Sequence, residues 1–178
     1  MSLLGAEAIA DTTIAYIQAK AAAKLTDVAA RPWSVALTLE PFKAIRLSEP
    51  DRESEQDFPV LYVMPDSTDI EPMKGNAALD GNYRFEFAVL AYDSGRSDRS
   101  SAETAKRLAM RYILAVFEML QEMHDRSDPT YHVAGEPLDW GTGGIAPRFI
   151  YGLTYASSDG EYLADARLVI GVQQLETL

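Results

Sequence analysis

Apolar and polar residues alternate along this chain with two distinct periods, and those periods assign most of its elements. From Leu4 to about Leu25, Ala10, Ile14, Ile17, Ala21 and Leu25 recur at three- and four-residue steps in an alanine-rich run, which predicts an amphipathic helix. Asp27 to Pro32 ends it, because the proline biases Arg31 away from helical geometry. Trp33 to Glu40 then alternates, with Trp33, Val35, Leu37 and Leu39 on one side, and predicts a half-buried strand.

Ser48 to Asp57 is almost wholly polar and predicts a solvated loop. Phe58 to Met64 is a short apolar run bordered by Pro59 and Pro65, which suits a strand near a sheet edge. Residues 66–81 hold Pro72, Gly75 and Gly81 and follow neither period, so they are expected to form a long excursion or hairpin arm. From Asn82 to Tyr92 a strand returns. Tyr83, Phe85, Phe87, Val89 and Ala91 share its apolar face, while the opposite face starts polar at Arg84 and Glu86 and turns apolar at Ala88 and Leu90.

The strongest signal is the stripe Ala105, Leu108, Ala109, Tyr112, Ile113, Val116, Phe117, Leu120 and Met123, which predicts a helix over 101–123 broad enough to cover a sheet. Ser100 and Glu103 have the capping-box spacing at its start. Tyr131 to Val133 and Phe149 to Ala156 read as strands, and Ser157 to Gly160 supply a turn. A last strand from Glu161 to Gln174 puts Tyr162, Ala164, Ala166, Leu168, Ile170 and Val172 on one face. No repeat of fixed period occurs. These elements predict an α+β fold: one domain over 1–178, a mostly antiparallel β-sheet with two amphipathic helices packed on it.

Composition narrows the chemistry. The 27 acidic against 16 basic side chains give a net charge of -11, which repels a phosphate backbone and argues against sequence-independent nucleic-acid binding. The acidity is spread along the chain. With no cysteine, disulfides, thiolate nucleophiles and cysteine-ligated metals are excluded. The sequence shows neither a signal-peptide pattern nor an apolar run near the roughly 18 residues that span a bilayer, so no membrane partner is expected.

Candidate sites are few. Gly141, Gly143 and Ala146 match a GxGxxA dinucleotide fingerprint, but Pro147 and a strand-like run follow where a phosphate-binding helix would have to start, so no cofactor is expected. Asp51, Glu53, Glu55 and Asp57 alternate like calcium ligands, yet the loop lacks the glycine and the final glutamate that such a site needs, and no metal is expected. His124 and His132 are the only histidines. His124 suits a helix C-terminus, where it complements the dipole. His132 lies near Asp139 in sequence, with no nucleophile-elbow serine and no HExxH motif. No catalytic residue is assigned, and the chain reads as a non-enzyme. Trp140, in a loop-rich stretch, either anchors a partner surface or lids the core.

The segments FPVLYVMP (58–65), NYRFEFAVLAY (82–92), SAETAKRLAMRYILAVFEML (101–120), FIYGLTY (149–155) and ARLVIGVQ (166–173), with the alanine-rich opening helix, follow one order. Strand, arm, strand, amphipathic helix, glycine loop and closing strand pair: that order resembles the tail-terminator and tail-completion proteins of long-tailed phages. The resemblance covers most of the chain and carries no catalytic residue. It implies a structural, homo-oligomeric ring, of about six subunits, that caps the tail tube, joins tail to head and meets tail-tube and head-completion proteins within a virion assembled in the host cytoplasm. Acidity would then suit a pore through which DNA slides. The excursion at 66–81 would reach a neighbouring subunit, with Ile70 and Met73 as apolar contacts and Trp140 as a further interface candidate. Two other classes share the plan: a small-ligand-binding or enzymatic domain with a site gathered from distant residues, and a protein-binding adaptor.

Overall fold

Successive strand residues face opposite sides of a sheet, so Tyr83, Phe85, Phe87, Val89 and Ala91 all point one way, and none of them is more than 1% exposed. That face is the floor of the main core, and two helices roof it. The computed structural model describes residues 4–50, 55, 57–72, 78–93, 99–123, 129–133, 135–141, 145–156 and 162–177. In chain order these give α1 (Leu4–Ala29), β1 (Ala44–Arg46), β2 (Val60–Pro72), β3 (Ala78–Asp93), α2 (Arg99–Glu122), β4 (Asp139–Trp140), β5 (Arg148–Ala156) and β6 (Tyr162–Thr177).

The sheet is mixed but mostly antiparallel. Its order is β1-β2-β3-β6, with β4 and β5 both pairing β6. Only the β1–β2 pair is parallel. The apolar face of β6 matches that of β3 residue for residue: Phe85 opposes Ile170, Phe87 opposes Leu168 and Val89 opposes Ala166. Against this surface lie Ile9, Ile17, Leu25 and Val28 of α1 and Ala109, Ile113, Val116 and Leu120 of α2. Each large apolar side chain removed from water here stabilises the fold by about 1.5–3 kcal/mol. The stripe predicted from the α2 sequence is the buried one.

Charged pairs join the helices where apolar contact ends. Arg31, just past α1, makes a two-point contact with Glu118 of α2 at 2.6 and 2.7 Å and also binds Asp27 at 2.8 Å. That guanidinium holds the Glu118 carboxyl below the usual range. Lys24 reaches Glu118 and Glu122 from one turn earlier.

The other sheet face carries a smaller cluster of Val60, Tyr62, Ala88 and Leu90. Beside it Arg167 binds Glu86 at 2.6 Å, across the β3–β6 pair. The expectation for the start of β3 therefore holds: Arg84 and Glu86 are half-exposed, whereas Ala88 and Leu90 are buried.

Four readings of the sequence are corrected. Trp33 to Glu40 is not a strand but an extended strap without a ladder partner. Side chains of α2 hold it instead: Arg111 donates to the Val35 carbonyl at 2.6 Å and the Tyr112 hydroxyl to the Glu40 carbonyl at 2.9 Å. Leu39 is buried, but Trp33 and Val35 are exposed. Tyr131 to Val133 is not a strand either; Pro129–Tyr131 forms a 3-10 turn, and Val133 makes an isolated bridge to Glu136. The strand foreseen at 58–64 runs on to Pro72, with Pro65 inside it at a register shift, a place where proline is tolerated. The polar loop at 48–57 is not simply solvated, since the Glu55 side chain is only 4% exposed. It accepts from Arg46 Nε at 2.7 Å, the Tyr62 hydroxyl at 2.7 Å and the Asp57 amide at 2.9 Å. With Arg46 as the chief cause, its carboxyl pKa falls to about 2.

β2, β3 and β6 stay paired past the last of their described side chains in the main core. Tyr83 and Val172 form the outermost described pair whose side chains join the core. Pairing continues to Ala78 opposite Thr177 and to Pro72 opposite Leu79. Five further residue pairs along β3 and β6 correspond to about 17 Å. At the root of this extension the Tyr83 ring lies over Gly81, 2.6 Å from where a Cβ would stand.

Candidate functional site

A groove of about 670 Å³ opens between the strap, one flank of α2 and β5. Three local facts make it. The core stripe of α2 faces the sheet, so its flank at Glu103, Lys106, Arg107, Met110, Arg111 and Leu114 is left to one side. β5 is an outer strand of the sheet, and its Phe149 and Tyr151 oppose Leu168 and Ala166 on the helix-covered face. The strap, held down by Arg111, sets Trp33 on the far wall. Phe149 packs edge-on against Phe117 at 5.3 Å and stacks with Tyr151 at 6.5 Å.

Much of the exposed apolar surface of the described residues gathers here. Among the described residues the large exposed hydrophobics are Trp33, Val35, Leu47, Met110 and Tyr151. Three of them line the groove, and Val35 adjoins it through its bond to Arg111. Exposed apolar residues scattered singly need no explanation; here Trp33, Met110 and Tyr151 share one concave surface.

The charges around the groove are unusual for so acidic a chain. Lys106, Arg107 and Arg111 line it, with Glu103 as the acid. Arg111 is 4% exposed and lies 4.6 Å over the Trp33 ring. Burial first, and then Arg107 beside it, push its pKa down. One guanidinium nitrogen donates to Val35, while Nη1 is buried without an acceptor. A buried, un-neutralised cation is costly, and a carboxylate brought to this groove would relieve the repulsion between the two arginines.

The residues singled out in the sequence lie elsewhere. Trp140 is 4% exposed, its ring edge-on to Phe85 and Phe87 at 5.4 Å each. Its aromatic contacts are thus within the chain, and its Nε1 is buried without a partner. The Ile70 backbone pairs with Gly81 within the β2–β3 extension. Met73 and His124 lie outside the described residues. His132 is half-buried, with Nε2 unpartnered, and does not line the groove.

Gly141 ends β4 with φ near 92°. Gly143 lies outside the described residues, and Ala146 leads into β5 rather than into a helix. Of the alternating acids, Asp51 and Glu53 lie outside the described residues, whereas Glu55 and Asp57 both bind Arg46. Among the described residues no group of three or more His, Asp or Glu is placed to hold a metal, and no helix is long and apolar enough to cross a membrane. Sequence reading missed the groove because its walls come from residues 33–34, 103–114 and 149–151. The local signal was Trp33 and Val35, exposed apolar residues mistaken for the inner face of a strand.

No family model and no curated protein matches the sequence. Among solved structures, a chain from the virion of a native gene transfer agent particle is similar over 89% of this chain and 95% of that one, at 12% identity and a TM-score of 0.34. Agreement that low assigns neither fold nor function.

Proposed function

We propose that this chain is a structural subunit of a phage-type virion, forming an oligomeric ring that caps the tail tube and joins tail to head. The observation that carries the reading is the three-stranded extension of β2, β3 and β6 past the Tyr83–Val172 pair. Such an extension is ordered by its own ladder, so a subunit can hold it out to a neighbour without first folding it on contact. The order of elements in the sequence supports the same reading, as does the charge of -11 spread over the chain. A ring of such subunits repels a duplex passing through its centre instead of gripping it.

A second reading draws on the groove. A cavity with aromatic walls and an un-neutralised arginine suits a small ligand bearing a carboxylate, and the chain would then act as a ligand-binding domain or enzyme. Light scattering across concentration and salt separates the two. The ring reading expects one discrete species near six times 19.6 kDa. A monomer at every concentration, with a small dicarboxylate raising the thermal midpoint, would replace it by the ligand reading.

A further inference from the structure

We propose that the groove between Trp33, α2 and β5 is the receptor for the acidic arm, residues 66–81, of a second copy of this chain. The inference rests on the ring reading and names the contact that would build the ring.

Charge is the first argument. Residues 66–81 hold Asp69, Glu71 and Asp80 against the single Lys74, besides Asp66 at the root, which Arg84 of the same chain binds at 2.8 Å. The groove offers the converse: Lys106, Arg107 and Arg111 among Trp33, Met110 and Tyr151. None of the three cations has a carboxylate within ion-pair distance among the described residues, although the chain's acids outnumber its bases by 11. Asp69 and Glu71 fall on one face of β2, since successive strand residues alternate, and a face that carries acids fits a surface that carries unpaired cations.

Geometry is the second argument, because it forbids a chain from filling its own groove. Tyr151 opposes Ala166 on β6, while the arm strand β3 leaves β6 at the Ala78–Thr177 pair. Eleven residues of extended strand separate these points, roughly 36 Å. They also lie on opposite edges of β6, since β5 pairs with one and β3 with the other. Two complementary patches at different places on one molecule make a head-to-tail contact, and such contacts close into a ring or run on as a filament.

The test is charge reversal read as mass in solution. Lys106→Glu with Arg107→Glu reverses the groove at residues that take part in no described ion pair, and Asp69→Lys with Glu71→Lys reverses the arm. Each pair alone is expected to raise the concentration of half-assembly by about a hundredfold, since like charges facing one another cost several kcal/mol. All four together, in one chain, should restore it to within about tenfold of wild type. Unchanged circular dichroism and thermal midpoint show that each variant folds. If either reversed pair assembles like wild type, or the fourfold variant stays monomeric, the groove is not the receptor while the ring reading stands. A wild-type chain that never assembles overturns both.

Discussion

Followed from one end of β6 to the other, this molecule presents two surfaces of opposite character. Beside Ala166 and Leu168 the adjoining strand contributes Tyr151 and Phe149 to a concave, aromatic surface rimmed by Lys106, Arg107 and Arg111. Beside Leu175 and Thr177 the adjoining strand belongs to an arm rich in acids. The first is built by packing, through a helix flank, a strap and an outer strand. The second is held by backbone pairing along three strands. The contrast shows how little a net charge says about a surface: a chain at -11 can still gather three cations without described ion pairs around one groove and set acids far from them.

The comparison can be broken from either side, and after charge reversal the next largest effect is expected at the root of the arm. Gly81→Val drives a branched side chain into the Tyr83 ring, which already lies 2.6 Å from the Cβ position. It should cost about 2–3 kcal/mol in urea unfolding and weaken assembly further by misdirecting the arm. Assembly at wild-type concentrations would mean that the arm does not need its present course.

On the groove side, Trp33→Ala removes the ring over Arg111 and the Nε1 bond to the Val28 carbonyl at 2.6 Å. A loss of about 1–2 kcal/mol in stability is expected, with weaker assembly even where the chain remains folded. Sedimentation below the unfolding midpoint checks this.

The smallest effect should come from acid. Glu55 ties the acidic loop to Arg46 and Tyr62 at the base of β2, and its pKa stands at about 2, below the ordinary 4.5. A depressed carboxyl contributes stability that is full above its unfolded pKa and fades as pH falls toward its folded pKa. The wild-type advantage over Glu55→Gln should therefore be complete at pH 6 and shrink between about pH 4.5 and 2. A constant difference in urea midpoint across that window would assign the Glu55 contribution to something other than its charge.

The fold was legible where one period ran long enough against one partner. β3, α2 and β6 each show one long apolar face, and those faces meet in the core. Legibility failed where alternation was satisfied by something other than a ladder. Trp33, Val35, Leu37 and Leu39 alternate as a strand would, yet their backbone is taken up by Arg111 and Tyr112. β1 and β4 span three and two residues, too short for any period to register. The polar loop concealed Glu55 because its anchors, Arg46 and Tyr62, lie nine and seven residues away in sequence. The groove was not legible at all, since no local pattern links a strap, a helix flank and an outer strand.

In the proposed ring, surfaces beside opposite ends of β6 meet between copies of the chain. Native mass spectrometry of the wild type beside the Lys106→Glu/Arg107→Glu variant tests that contact most directly. The account expects one closed oligomer near six times 19.6 kDa for the wild type and single chains for the variant under the same conditions. The same oligomer in both spectra, or single chains in both, would contradict it.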